Sequence, residues 1–271
     1  MTVDNTALIT GGSSGIGFAL AKQLVAEGTD VCLVARDMEK LERSKQALSE
    51  ITIREDQQVS IISADVSNYK DITEALRDWT DEFGIPDLVI NSAGYVYPGY
   101  FQDLDIDTFA MQMDINYFGT LNVLKCLIPH MIQRGSGTVV NISSQAGFIG
   151  VFGYTGYGAS KYAVRGLSDS LRSEMKPHRI QVSIVFPPDT QTPQLEFEKN
   201  LKPSETKALA GNIKPLTADQ VANEIMRGIR KGRYVIIPGF DGKILYRLSL
   251  LLGNLVYPIM DLVIRKAQKA K

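Results

Sequence analysis

Cysteine is scarce in this chain: two residues in 271, Cys32 within an apolar strand-like run and Cys126 within a helical one. Neither belongs to a metal-ligand spacing, so no metal is expected; both read as reduced core thiols, which points to a cytosol-facing, cytoplasmic location. Charge of one sign is scarce too. Lys and Arg number 29 against 30 Asp and Glu, a net charge of −1, which leaves no electrostatic footprint for nucleic acid. A basic leader is also missing: Met1-Thr2-Val3-Asp4-Asn5 runs directly into a strand, so no signal peptide is expected. The longest apolar stretch, Ile244 to Ile264, is interrupted by Arg247, Asn254, Pro258 and Asp261. A bilayer-spanning helix wants about 20 mostly apolar residues, so a true span is not expected.

What is present is a chain 44% hydrophobic, long enough to bury one large core. Apolar strand-like runs alternate with helical patterns, which predicts an α/β fold with a doubly wound parallel sheet of about seven strands. The strand candidates are residues 6–9, 31–35, 59–64, 88–91, 138–142, 181–186 and 234–237. Ligands of such sheets bind outside the carboxyl ends of the strands, where Gly11, Asp65, Asn91, Ser144 and Pro187 all fall.

Two motifs carry chemistry. Thr10-Gly11-Gly12-Ser13-Ser14-Gly15-Ile16-Gly17 follows an apolar run and opens an amphipathic segment: strand, glycine turn, helix. Such glycines let backbone N–H groups approach a pyrophosphate at the positive end of a helix. The bland alternative is a tight structural turn. Further on, Tyr157 and Lys161 lie four residues apart, one helical turn on one face, with Ser144 thirteen residues upstream of Tyr157. A phenol with a reference pKa of about 10 needs a neighbouring cation to act as an acid or base near neutrality, and Lys161 can sit beside it. Ser144 would offer its hydroxyl to a substrate carbonyl while a cofactor supplies hydride. By itself Tyr-x-x-x-Lys often arises by chance on exposed helices; the glycine turn gives it context. Tyr154 competes with Tyr157 but is followed four residues on by Gly158, and Ser143 competes with Ser144.

The glycine turn, Asn91-Ser92-Ala93-Gly94, Asn116, Ser144, Tyr157 and Lys161 stand in the order and spacing of the short-chain dehydrogenase/reductases, which this chain resembles from about residue 5 to residue 195. Ser92 departs from the second Asn of many members. The resemblance implies a Rossmann-type fold. It also implies cofactor contacts from Gly11, Ser13, Ser14, Gly15, Ile16, Gly17, Asn91, Ala93, Gly94, Tyr157, Lys161, Pro187 and Thr190. Asp65 and Val66 would contact the adenine, and Thr192 the nicotinamide carboxamide. Asn116 would hold a water that links Lys161 to solvent; a helix-bending polar residue is the alternative. At the end of the second strand Arg36, with Lys40 a turn later, suits a 2′-phosphate, so NADPH is predicted over NADH. Alternatively these cations decorate a helix start that Asp37 caps.

After the sixth strand, Phe186-Pro187-Pro188-Asp189-Thr190-Gln191-Thr192-Pro193 replaces the family's usual Pro-Gly. Here the chain resembles the branch that reduces the 3-keto group of long-chain sphingoid bases with NADPH. The resemblance thus implies a long-chain keto-lipid substrate and a homodimer or tetramer through residues 107–134 and 157–175. The catalytic domain is expected over 1–243, with a charged, Pro203-interrupted segment, about 190–216, as a mobile lid or an ordinary surface connection. Residues 244–271 form an apolar tail with a basic end, Arg265 to Lys271. Leu248 to Met260 would suit a helix lying in the interface at the cytosolic face of a membrane; a helical hairpin packed on the domain is the alternative. A reductase of a steroid, retinoid or 3-ketoacyl thioester, or a non-catalytic NADPH-binding regulator, would show much of the same sequence.

Overall fold

A computed structural model describes residues 6–211 and 213–269. The reading made on Met1–Asn5, and the last two residues of the basic end, Ala270 and Lys271, lie outside the described residues.

Six of the sheet strands are β1 (Thr6–Thr10), β2 (Asp30–Ala35), β3 (Val59–Ser63), β4 (Leu88–Asn91), β5 (Gly137–Ile142) and β6 (Ile180–Val185). A two-residue ribbon, β7 (Thr190–Gln191) with β8 (Leu216–Thr217), stands apart, and β9 (Val235–Ile236) closes the main sheet. All pairings are parallel and the order is β3-β2-β1-β4-β5-β6-β9, so the seven strands expected from the apolar runs form one sheet. Parallel strands covered on both faces read as continuous apolar runs, which is why they were legible.

The connecting helices are α1 (Gly15–Ala26), α2 (Met38–Ser49), α3 (Tyr69–Phe83), α4 (Ile106–Met113), α5 (Gly119–Arg134) and α6 (Thr155–Met175). Between α4 and α5 the backbone widens into a π-helical turn, Asp114–Phe118. Beyond β6 come α7 (Pro193–Lys199), α8 (Ser204–Ala210) and α9 (Ala218–Arg230), then α10 (Phe240–Leu252) and α11 (Val256–Lys269). On one face of the sheet Leu20 and Leu24 of α1 pack with Val221 and Ile225 of α9; on the other, Ile72 and Leu76 of α3 pack with Val123 and Leu127 of α5. All eight are fully buried or within 1% of it. Truncating one such leucine to alanine costs about 2–5 kcal/mol. Cys32 lies in this core, where burial pushes its thiol up to about 12, and Cys126 is also free.

Two stretches differ from expectation. The segment about 190–216 is not irregular throughout but carries two short helices: Thr192 caps α7 through a hydrogen bond from Leu195 N (3.2 Å), Pro193 starts that helix, and Pro203 separates it from α8. Its charges misled because Glu198 and Glu205 face inward, 7% and 2% exposed. In the tail, Phe240–Lys269 is long and apolar enough to cross a membrane by length and composition. Leu248 to Met260 is nevertheless not one helix: Gly253 has φ +53°, a left-handed value that glycine adopts freely, and it divides α10 from α11. The inner side of this pair docks on the domain through Tyr246 and Val256, packed with Phe148 and Phe186, while Leu250, Leu251 and Leu255 stay exposed.

Candidate active site

A cavity of about 630 Å³ opens at the carboxyl ends of the strands. Its floor is the glycine turn. Gly11 has φ +64°, and a side chain there would run into Ala93 N and Ser92 O at 2.8 Å; a Cβ on Gly17 would lie 2.4 Å from Gly11 O. The turn therefore packs so tightly that only glycine fits, and it presents the start of α1 to the cavity. Ser14, the residue before that helix, is extended and makes no side-chain cap, and no acidic residue occupies the first turn. The first N–H groups of α1 are left for an anionic ligand, so the cradle fits the pyrophosphate of a dinucleotide.

The next layer is polar and largely committed. Thr10 Oγ1 accepts from Ser92 N and Ala93 N, both at 3.1 Å. Asn91 is 2% exposed and its Nδ2 donates to Asn141 Oδ1 (2.9 Å); Asn141 in turn donates to Ser168. Asn91 Oδ1 is the buried side-chain atom without a partner among the described residues. The Asn91 side chain thus ties β4 to β5 and does not reach the cavity wall, and Ala93 likewise stands behind it.

Ser144 ends the β5 segment and accepts from Ala146 N (3.2 Å). Its neighbour Ser143 is excluded as its competitor, since that hydroxyl donates to Lys161 O (2.9 Å) within the fold. Tyr157, in the first turn of α6, lines the cavity with Ser144. Burial pushes its phenol well above the ordinary range; the hydrogen bond with Ser144 favours the phenolate, and the Glu198 and Asp189 carboxylates oppose it. Lys161 is 4% exposed and its Nζ sits 5.7 Å from the Tyr157 ring centroid. It donates to Ile142 O (3.0 Å) rather than to the phenol, and burial lowers its pKa to about 8.

Asn116 lies in the π-helical turn, fully buried. Its Oδ1 accepts from Tyr95 N and its Nδ2 donates to Tyr95 O and Ser160 Oγ, each at 2.8 Å. A Cβ on Gly94 would lie 3.2 Å from Asn116 Oδ1 and 3.5 Å from Lys161 Nζ, so these groups are neighbours behind Tyr157. The extra residue of a π turn re-aims side chains within a helix, a device common at functional sites.

Ser14, Gly15, Ile16, Gly94, Pro187 and Thr190 also line the cavity. Thr192 does too, close enough to Gly15 that a Cβ there would meet its Cγ2 at 3.1 Å, although its hydroxyl caps α7. Ser13, Arg36, Lys40, Asp65 and Val66 are outside the wall. Val66 is buried at 6% in the core, and its carbonyl accepts from Asn122 Nδ2 (2.9 Å). Asp65 accepts from Ser67 N and Oγ. Arg36 stands 3.8 Å from Asp65, and Lys40 3.1 Å from Asp37, both cations exposed. Asp37 Oδ1 caps α2 by accepting from Lys40 N (3.1 Å).

Two parts of the wall were missed by sequence reasoning. One is a charged group beside Tyr157: Tyr154 Oη donates to Glu198 Oε2 (2.6 Å), and Lys202 bridges toward Asp189. The i,i+4 spacing of Glu198 and Lys202 was its one visible trace, and exposed helices carry such pairs routinely. The other is apolar, from α10 and α11: Leu245, Leu248, Leu252, Val256, Ile259 and Met260. Among the described residues no group of three or more His, Cys, Asp or Glu is placed to hold a metal.

The family profile described as short chain dehydrogenase matches residues 5–202. A 3-ketodihydrosphingosine reductase of Bos taurus is 37% identical over 243 residues, covering 89% of this chain and 73% of that protein. One of Dictyostelium discoideum is 35% identical over 271 residues, covering 95% and 81%. Among solved structures, a levodione reductase superposes with TM-score 0.80 at 29% identity, covering 89% and 98% of the two chains. A short-chain dehydrogenase of Sphingobium yanoikuyae, in complex with NADPH, gives 0.77 at 27% identity, covering 92% and 96%. With the profile spanning most of the chain and the fold agreeing, this protein belongs to the short-chain dehydrogenase/reductase family and is an oxidoreductase of the kind that uses NAD(P)H.

Proposed function

We propose that the chain uses NADPH to reduce the 3-keto group of 3-ketodihydrosphingosine to dihydrosphingosine, a step of sphingolipid synthesis. The observation that carries this reading is the lining of the cavity: Ser144 and Tyr157 share it with an apolar wall from α10 and α11. A small polar ketone would leave that wall in water, whereas a long alkyl chain gains about 0.8 kcal/mol for each methylene it buries. The names of the relatives point the same way.

Gly11 to Gly17 and the start of α1 would hold the pyrophosphate, and Thr192 the nicotinamide end. Support for the 2′-phosphate comes from Arg36 and Lys40, exposed at the end of β2, with Asp37 committed to capping α2 rather than free for a ribose hydroxyl. When bound, the cofactor supplies the hydride to the carbonyl carbon. Tyr157 would donate its proton to the carbonyl oxygen, with the Lys161 ammonium nearby to help it release that proton. Ser144 donates a hydrogen bond to the same oxygen. Lys161, behind Tyr157, would return the proton, resupplied from solvent through a water held at Asn116.

The tail's outward residues Leu250, Leu251 and Leu255 are 62%, 82% and 67% exposed, which suits contact with a membrane surface at the cytosolic side, where such a substrate resides. Self-association to a dimer or tetramer through residues 107–134 and 157–175 accords with the exposure of Phe118 and Tyr162, 43% and 39%. The decisive experiment follows NADPH oxidation with 3-ketodihydrosphingosine, a steroid ketone, a retinal, a 3-ketoacyl thioester and a short soluble ketone. Preference for the sphingoid ketone is expected. Preference for another of these discards the substrate and keeps the chemistry; cofactor binding without turnover of any would discard both.

A further inference from the structure

The polar end of the cavity holds more negative charge than the fold neutralises. Asp189 and Lys202 form a pair at 3.0 Å. Glu198 has to share that one cation. Its side chain is nine-tenths buried, and Lys202 stands 3.7 Å from it. Both of its contacts, from Tyr154 Oη and from Lys202, fall on Oε2; Oε1 makes no hydrogen bond among the described residues. Glu198, Tyr154 and Lys202 all line the same cavity as Tyr157, and the Tyr154 and Tyr157 rings are 5.5 Å apart. The other charged groups on the wall do not offset it: Lys161 is bonded to Ile142 O, and Lys214 and Asp241 stand exposed at the mouth.

An ionised carboxylate half-satisfied inside a pocket is costly unless a cation arrives with the ligand. Burial pushes Glu198 above the ordinary carboxylate range and nearby Asp189 adds to it, while Tyr154 and Lys202 pull it back. A neutral donor could fill one lone pair of Oε1; only a cation also offsets the charge. The position matters as much as the sign, because a ketone whose oxygen meets Ser144 and Tyr157 brings its α-substituents to the neighbourhood of Tyr154 and its partner.

We infer that Glu198, positioned by Tyr154 and Lys202, receives an ammonium group borne on the carbon next to the substrate carbonyl, and thereby makes the enzyme selective for 2-amino ketones over plain ketones. This rests on the proposed substrate, whose amino group stands at that carbon, and it names the side chain that reads it. The apolar wall of α10 and α11 selects the chain; Glu198 selects the head and so fixes which way round the ketone lies.

The test uses the full chain and two substrate pairs: 3-ketodihydrosphingosine with its deamino analogue of the same length, which keeps the 1-hydroxyl, and aminobutanone with butanone. The readout is the ratio of kcat/KM within each pair. Wild type is expected to favour the amine by roughly 30-fold or more, the usual effect of leaving one partner of a buried charge pair alone. Glu198→Gln should collapse that ratio at least tenfold, with NADPH affinity and the melting transition retained. A wild-type ratio near one in both pairs, or an equal loss for amine and plain ketone in Glu198→Gln, overturns the inference. Should Glu198→Gln fail to fold, Tyr154→Phe decides: it removes a donor that positions the carboxylate and should lower the ratio several-fold while the plain ketones keep their turnover, and an unchanged ratio counts against Glu198. Selectivity for aminobutanone without turnover of either long ketone would leave the ammonium site standing and discard the sphingoid substrate. Equal turnover of both long ketones would do the reverse.

Discussion

The two walls of the cavity hold their positions by different means. On the Tyr157 side, Asn116, Ser143, Lys161 and Asn141 are each fixed by hydrogen bonds to backbone or to neighbouring side chains, on strand ends, the π-helical turn and one long helix. On the facing side, α10 and α11 touch the domain through a few aromatic and aliphatic contacts, with Gly253 as a joint between them. The first wall gains orientation, since directional bonds fix a reacting oxygen to within a fraction of an ångström. The second gains tolerance: apolar contact is non-directional, and a flexible alkyl chain needs area rather than angle. Chemistry and selectivity for chain length should therefore fail separately.

The largest expected break is Tyr157→Phe, which removes the proton donor and leaves the ring; kcat should fall about 10³-fold with little change in KM or melting temperature. Steady-state kinetics alongside a thermal melt check this, and a matching change in KM would blur the distinction between the walls. Next, Arg36→Glu should shift the NADPH to NADH preference on the order of 10²-fold, measured as the ratio of kcat/KM for the two cofactors. On the other wall, Leu248→Ser with Leu252→Ser should raise KM for a long-chain ketone roughly tenfold while a short ketone keeps its kinetics. A loss of kcat on the short ketone would show that the tail holds the chemistry after all. The smallest effect is with pH. Lys161 titrates near 8, so kcat/KM for reduction should decline a few-fold as pH rises through about 8. For stability the sign is opposite. The unfolded chain keeps this proton up to its ordinary 10.5 and the folded chain only to about 8, so between those values this group makes the fold more stable as pH rises.

The sheet and the Tyr157 wall were legible because each has a local signature: apolar runs of strand length, glycines before a helix, and a pair spaced by one helical turn. The facing wall has none. Glu198 and Lys202 look in sequence like any solvated helix pair, and only the fold shows that they are turned inward. Thr192 was noticed, but its hydroxyl is spent on a cap, and nothing local to Asp37 says whether it serves a ribose or a helix. Gly253 sits in the middle of an apolar run, where composition suggests continuity and one backbone angle breaks it.

The ribbon of β7 and β8 has a consequence for how such an enzyme changes its substrate. Thr190 and Leu216 pair side by side, so the excursion between them begins and ends at one spot. An excursion whose two ends already touch can be lengthened, shortened or exchanged without asking the sheet to move. Glu198 and Lys202, the charged pair proposed to read the head group, ride on that excursion, while Ser144, Tyr157 and Lys161 stay on the end of the sheet and on α6. The molecule is in this sense a fixed reaction centre with an interchangeable reader.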